Sequence, residues 1–317
     1  YFGFVAPAVL FGLLGAASTL FLQGVSNPKP AMFIQCLMVP TNIIFNWIFI
    51  YGRMGAPAMG AAGAALATSL TMALSAFGLA VYISRSRSLK KFQPWGSFRG
   101  LWRYGRTIRR FGIPVGAAAA LEFLGMTALI MFAGRIGALA ISSLEVAFNL
   151  HLLAFLVTLG VASATAVRVG NAVGRGDTGD IGLVVLAGIS LGLLGMAPFL
   201  AGYVVVPESF ARAFITDDAV VALTASLLTI IAIALPFDSV QMIVLHSLRA
   251  LGDQWVASAG QVVSFFFVMV SVGWTLAFPS GYGVRGLVLA LLVGAAVAAL
   301  LMVARLLWVR RRLISAL

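Results

Sequence analysis

Charge is what this sequence has least of. Asp, Glu, Lys and Arg make up 9% of its 317 residues, where soluble domains carry about 25%. Met54 to Ser84 contains no charged side chain, and neither does Gln254 to Val284. Such runs exceed the roughly 20 apolar residues that cross a bilayer. A soluble core helix can be that apolar once, but not repeatedly along one chain, so a soluble domain is excluded. Cysteine is nearly absent: Cys36 alone forms no internal disulfide, and no zinc spacing exists. The two histidines, His151 and His246, lie in separate apolar segments without a cysteine at ligand spacing, so no metal site is expected. GxxxxGK[ST] and HExxH are missing, which argues against ATP hydrolysis and against an enzyme. The Gly-rich GNAVGRGDTGD at 170–180 follows an apolar run rather than a strand and reads as a tight turn.

What is present is apolar sequence in helical lengths. Hydrophobic residues make up 62% of the chain, and 34 glycines suit closely packed membrane helices. Continuous runs, rather than ten-residue alternating ones, favour helices over barrel strands. About nine transmembrane spans are expected, over 1–22, 31–51, 59–84, 108–133, 141–167, 181–204, 219–246, 256–278 and 285–307. The class is all-α integral membrane.

The net charge of +12 is distributed unevenly. Alternating spans sort the loops into two sets, and 17 of the 21 basic residues fall in one of them. That set holds Lys29, the 85–110 segment, Arg168, Arg175, Arg249 and the tail arginines 305, 310, 311 and 312. Arg53, Arg135, Arg212 and Arg285 form the other. Basic loops stay cytoplasmic, so the 85–110 segment and the C-terminus are expected inside and Tyr1 outside. The segment at 84–110, SRSRSLKKFQPWGSFRGLWRYGRTIRR, mixes nine cations with Trp95, Trp102 and Tyr104. An RNA-binding patch has this composition. Its position between spans instead favours a linker on the inner lipid headgroups, with no nucleic acid as partner.

The chain resembles itself at long range. FLQGVSNPKPAMFIQ at 21–35 lies over SLRALGDQWVASAGQ at 247–261, and GAAGAALAT at 60–68 over GVRGLVLAL at 283–291. The two blocks join the same kinds of span in the same order. An offset of six spans keeps one orientation, the parallel-repeat plan of some secondary transporters. On this pattern the second copy starts near 107. The chain then reads as a fragment of a twelve-span protein, lacking roughly three helices before Tyr1.

Nine carboxylates are available for chemistry, and Asp177, Asp180, Glu208, Asp217, Asp218 and Asp253 belong to loops. Glu122, Glu145 and Asp238 lie within apolar spans. A carboxylate at membrane depth costs several kcal/mol unless it is neutral, paired or hydrated, which makes each a functional-site hypothesis. The alternative is a protonated helix–helix hydrogen-bond partner, and Glu145, near a span end, also has a hydrated option. No Arg or Lys is expected at the level of these carboxylates, so a mobile cation is their natural counter-charge. Pro7, Pro40, Pro114 and Pro236 fall in spans and can kink them; Pro236 would free carbonyls near Asp238.

Several collinear motifs resemble one family. FLQG at 21–24, NIIFNWIFIYG at 42–52, GAAGAALAT at 60–68, EVAFNL at 145–150, VRVGNAVGRGD at 167–177, FITDD at 214–218 and LRALGD at 248–253 are similar to multidrug and toxic compound extrusion (MATE) transporters. The resemblance implies a twelve-helix, two-lobe (6+6) antiporter. It assigns 1–84 to the second half of the N-terminal lobe, 85–106 to a cytoplasmic linker and 107–317 to the C-terminal lobe. In the NorM-like branch a Glu of the seventh helix and an Asp of the tenth bind the coupling cation, and Glu122 and Asp238 match them. Glu145 stands where relatives commonly carry Gln. With Asn149 and Gln241 it is a candidate for the substrate or cation cavity.

The expected activity is export of cationic, amphipathic compounds in exchange for Na+ or H+, with no cofactor and no resident metal, though Na+ can bind at Glu122 and Asp238. Expected partners are small organic cations and membrane lipids, around a monomer in the bacterial inner membrane. A flippase for a lipid-linked precursor is the alternative within transport. An integral-membrane enzyme or a non-transporting receptor is the alternative outside it.

Overall fold

The computed structural model describes residues 2–92, 101–177 and 179–315. Among them it is helical, without strands. The order is α1 (Phe2–Gly24), α2 (Lys29–Tyr51), α3 (Ala61–Arg85), a 3-10 helix over Arg87–Phe92, α4 (Leu101–Ile136) and α5 (Ala138–Gly174). Then come α6 (Ile181–Val205), the short α7 (Pro207–Arg212), α8 (Asp218–Ala250) and α9 (Gln254–Val262). A π-helical stretch, Val263–Val268, joins α9 to α10 (Met269–Ala277), and α11 (Gly283–Ser315) follows. Nine helices among the described residues are long and apolar enough to cross a membrane, with α9 to α10 counting as one. The protein is a multi-pass, all-α membrane protein, as its composition implies. Helices satisfy their own backbone groups, which is what a segment surrounded by lipid requires.

Helix ends differ from the apolar runs that announced them. α4 starts at Leu101, before the expected 108, so the end of the 85–106 segment is helical. The middle of that segment, 93–100 with Trp95, lies outside the described residues, as do the side chains of Trp102 and Tyr104. α8 continues through Arg249 to Ala250, past the expected end at 246. Polar residues extend a helix at no cost once its axis reaches the headgroups, and hydropathy does not register them.

The chain divides into two compact units, Tyr1–Leu101 and Trp102–Leu317. In the first, α3 packs against both α1 and α2. Leu22, Ala31, Leu79, Ile83 and Leu89 form its buried core. A β-carbon on Gly63 would stand 2.3 Å from the Phe49 carbonyl oxygen, so α2 and α3 touch backbone to backbone there.

In the second unit α8 is the hub, packed against α5, α6, α7 and α11. These helices are apolar on every side, so hydrophobicity does not choose the buried face; residue size does. On α5 the buried positions Ala140, Ser143, Leu144, Ala147, Leu150, His151, Ala154, Thr158, Ala162 and Thr165 recur every three or four residues. Most are small and let α8 approach closely. α6 contributes glycines: a β-carbon on Gly188 would lie 2.4 Å from Thr165 Oγ1, and one on Gly192 2.5 Å from Ser239 Oγ.

α8 begins with a side-chain cap. The Asp217 carboxylate accepts from the backbone amides of Ala219 at 2.9 Å and Val220 at 3.1 Å. Replacing Asp217 with Ala is expected to cost about 1 kcal/mol of stability, read as a small fall in the melting temperature of the detergent-purified protein. An unchanged melting temperature would show that the cap contributes nothing.

Candidate functional site

Two of the sequence candidates meet in one place. Glu122 on α4 and Asp238 on α8, 116 positions apart in the chain, line a single cavity of about 460 Å³ within the second unit. Gln241, one turn beyond Asp238, lines it too, and so does His151 of α5. The other walls are apolar, among them Phe123, Met126, Phe155 and Phe265. Asp238 is 2% exposed, Gln241 1% and His151 7%. Spacing accounts for the convergence on α8: positions 238, 241 and 242 lie three to four residues apart and share one face.

The polar groups here are incompletely partnered. Gln241 Oε1 is buried without a hydrogen-bond partner. His151 Nε2 lies 2.9 Å from Asp238 Oδ2, at ion-pair distance, but the angles fall outside hydrogen-bond geometry. A buried oxygen left this way costs roughly 1–3 kcal/mol, more when charged. The cavity thus presents carboxylate and amide oxygens, the donor type that hard cations and protons take. Among the described residues no three His, Cys, Asp or Glu side chains gather at metal-ligand spacing. Pro236, two residues before Asp238, lies inside α8 and leaves the Ala232 carbonyl without its helical amide partner.

Glu122 is tied on its other side to groups that the sequence did not announce. Gln261, at the end of α9, donates from Nε2 to Glu122 Oε2. Gln261 Oε1 in turn accepts from Arg249 Nη2 at 2.7 Å. One amide therefore links the carboxylate to a guanidinium. The expectation that no Arg or Lys stands near these carboxylates is corrected at Glu122, which Arg249 reaches through Gln261; at Asp238 the neighbour is His151. The apolar run stops before Arg249, which places it in a loop by hydropathy, whereas α8 continues through it to Ala250.

A π-helical stretch follows directly in the chain. It begins two residues after Gln261 and ends at Val268. Such stretches are frequent at functional sites. Phe265, inside it, brings its carbonyl against α4 where Gly125 removes the obstacle: a β-carbon there would lie 2.4 Å from that oxygen. Gly125 is three residues from Glu122, hence on the same face. Gln261→Leu is expected to leave both the Glu122 carboxyl and the Arg249 guanidinium short of a partner. The predicted loss is about 1–3 kcal/mol, seen as a lower melting temperature, and Gln261→Asn, which keeps the amide, should lose less.

Glu145 and Asn149 are not brought to this cavity. Both are exposed on α5, and Asn149 Nδ2 donates to the Glu145 backbone carbonyl at 2.8 Å. The first unit has a cavity of its own, about 520 Å³, lined by Thr19, Gln35, Asn42, Thr68, Thr71 and Ser75 among apolar residues. Asn42 Nδ2 donates to Thr71 Oγ1 at 3.2 Å, and Asn46 Nδ2 to Asn42 Oδ1 at 2.8 Å. Neutral polar residues in an apolar helix attract little notice in sequence, which is why this cavity was not anticipated.

Comparison with known proteins turns on the same segment. The MatE family model matches residues 114–275, a little over half of the chain. The chain belongs to the MATE family. The MATE match encloses Glu122, His151, Asp238, Gln241 and Gln261. The probable multidrug resistance protein NorM of Caulobacter vibrioides is 31% identical over 305 residues, covering 94% of this chain and 64% of its own length. The multidrug resistance protein NorM of Vibrio cholerae is 29% identical over 324 residues, covering 98% of this chain and 68% of its own. The MATE fold itself is similar to the crystal structure of the eukaryotic MATE transporter AtDTX14. The TM-score is 0.87 at 20% identity, with 96% of this chain and 67% of that one covered. The chain thus spans about two thirds of the length of the relatives it matches.

Proposed function

We propose that the protein is a secondary antiporter of the bacterial inner membrane that exports organic cations in exchange for Na+ or H+. The observation that carries this reading is the shared cavity: two carboxylates from different helices, walled by apolar side chains, with unpartnered oxygens beside them. Glu122 and Asp238 are the residues we assign to the coupling cation. When the cation leaves, the carboxylates are exposed to the full penalty of burial, and a conformational change or a new positive charge relieves it. Antiport follows when cation and substrate favour opposite states. Only differential affinity for those states does work, so the cavity must hold the cation more tightly in one of them. The names of the Caulobacter and Vibrio relatives, multidrug resistance proteins, support drug-like substrates.

Within this reading 1–84 forms half of an N-terminal lobe, 85–106 a linker on the cytoplasmic surface and 107–317 the C-terminal lobe. The bias of basic residues supports a cytoplasmic C-terminus. Glu145 is assigned to substrate charge preference or cation choice, Asn149 to a substrate path on the exposed face of α5, and Gln241 to the cavity itself. No enzymatic step is required.

Proteoliposomes containing the intact protein test the reading. A fluorescent organic cation should move against its gradient when a Na+ or H+ gradient is imposed, and should equilibrate only slowly without one. Equal movement with and without either gradient would falsify antiport.

A further inference from the structure

A second cavity of the 102–317 unit has a different character. It measures about 680 Å³ and is lined by Arg106, Thr107, Arg110 and Phe111 of α4 and by Gly252, Gln254 and Trp255 around the start of α9. Arg106 and Arg110 are one helical turn apart and project from one face. Both are exposed, and neither has a carboxylate partner among the described residues.

The nearby carboxylate is already engaged. Asp253 receives two bonds from Arg305, from Nε at 2.6 Å and Nη2 at 3.1 Å. It stands at the position that would cap α9 but makes no cap bond. The first-turn amides of α9 therefore lack a side-chain acceptor, and the helix end keeps its partial positive charge. Gln254 is 5% exposed, and its Oε1 has no hydrogen-bond partner. Two arginines without a carboxylate partner among the described residues, an uncapped helix start and an unpartnered buried amide oxygen thus border one recess. The recess calls for a group that is anionic and also donates a hydrogen bond.

Its surroundings identify the source. Trp255 is 56% exposed, and Phe111, which lines the recess with it, is exposed too. Large apolar side chains next to arginines at a helix end match the boundary between headgroups and acyl chains. Basic pockets between membrane helices on the cytoplasmic side are the kind that take phospholipid headgroups.

We infer that this recess binds the headgroup of an anionic phospholipid with hydroxyl donors, of the phosphatidylglycerol type. The phosphodiester sits on Arg106, Arg110 and the α9 amides. A headgroup hydroxyl supplies the donor that Gln254 Oε1 lacks, and the acyl chains lie along Phe111 and Trp255. The inference stands apart from the transport reading, since it involves none of the residues assigned to coupling.

Lipid retention by the intact protein provides the test. The protein is purified in mild detergent, mixed with equal amounts of phosphatidylglycerol, phosphatidylmethanol and phosphatidylcholine, and the bound lipid is read by native mass spectrometry. Wild type should prefer phosphatidylglycerol over phosphatidylcholine by about 10- to 30-fold, the effect of two basic residues. It should also prefer phosphatidylglycerol over phosphatidylmethanol, which has the charge without the hydroxyls. Arg106→Gln with Arg110→Gln should bring the first ratio within about twofold of unity, and Gln254→Leu should remove only the second preference. No preference in wild type, or an unchanged preference in the double-arginine variant, would overturn the site. Displacement of the lipid by millimolar inorganic phosphate would overturn the lipid assignment in favour of a free anion.

Discussion

Glu122→Gln and Asp238→Asn, each made in the intact protein, are expected to lower gradient-driven export by about 10- to 100-fold, the range spanned by typical coupling energies. Both substitutions keep size and polarity and remove the charge that a cation would balance. Insertion and folding should survive, because a neutral amide in an apolar span is less costly than a carboxylate. The two variants should differ in detail. Asp238 is nearly sealed, with His151 beside it, so Asp238→Asn removes the acidic partner of the imidazole. Glu122 retains an amide neighbour in Gln261, and its substitution leaves that neighbour an acceptor to donate to. Passive exchange of substrate should persist in both variants while the gradient loses its effect. Loss of all movement in both would point instead to a structural role for the pair.

Gly125→Ala is expected to be the most damaging single-methyl change in the 102–317 unit. The new β-carbon would stand 2.4 Å from the Phe265 carbonyl oxygen and 3.1 Å from Met269 Cε. Met269 can move, but the carbonyl belongs to the π-helical backbone and cannot yield without shifting the helix. Overpacking of this kind costs about 1–3 kcal/mol, occasionally more, so the melting temperature should fall by several degrees. The displacement would also separate Glu122 from Gln261, which gives the variant a transport defect beyond its loss of stability. Gly116→Ala on the same helix is the control. A β-carbon there meets nothing within 4 Å, and exchange of Gly for Ala inside a helix gains about 0.5–1 kcal/mol. Equal melting temperatures for the two variants would contradict the close approach at Gly125.

The membrane architecture was legible in the sequence because hydropathy and length act locally. Each apolar run long enough to span became a helix. Glu122 and Asp238 were legible for a related reason: an acid in such a run is conspicuous, whatever its neighbours. Their partners were not. His151 is a lone imidazole in an apolar stretch, and only the packing of α5 on α8 sets it beside Asp238. Gln261 bonds to Glu122 and links it to Arg249, just before a π-helical stretch that no periodicity in VSFFFV announces. Arg249 was hidden by the end of the hydropathic signal, although α8 continues past it. The buried face of α5 was readable in principle, as a three-and-four spacing of Ala, Ser and Thr, but apolar residues surround it on every side. Glu145 illustrates the converse: its motif marks it out, yet it lies on an exposed face away from the cavity.

On the function proposed above, the cavity shared by Glu122 and Asp238 holds the ion that substrate displaces. Adding an organic cation to the purified intact protein, while following free Na+ with an electrode and proton release with a pH indicator, tests it directly. Wild type should release one of the two ions in proportion to bound substrate, and the variant combining Glu122→Gln with Asp238→Asn should bind substrate without releasing either. Undiminished ion release by that double variant would contradict the account.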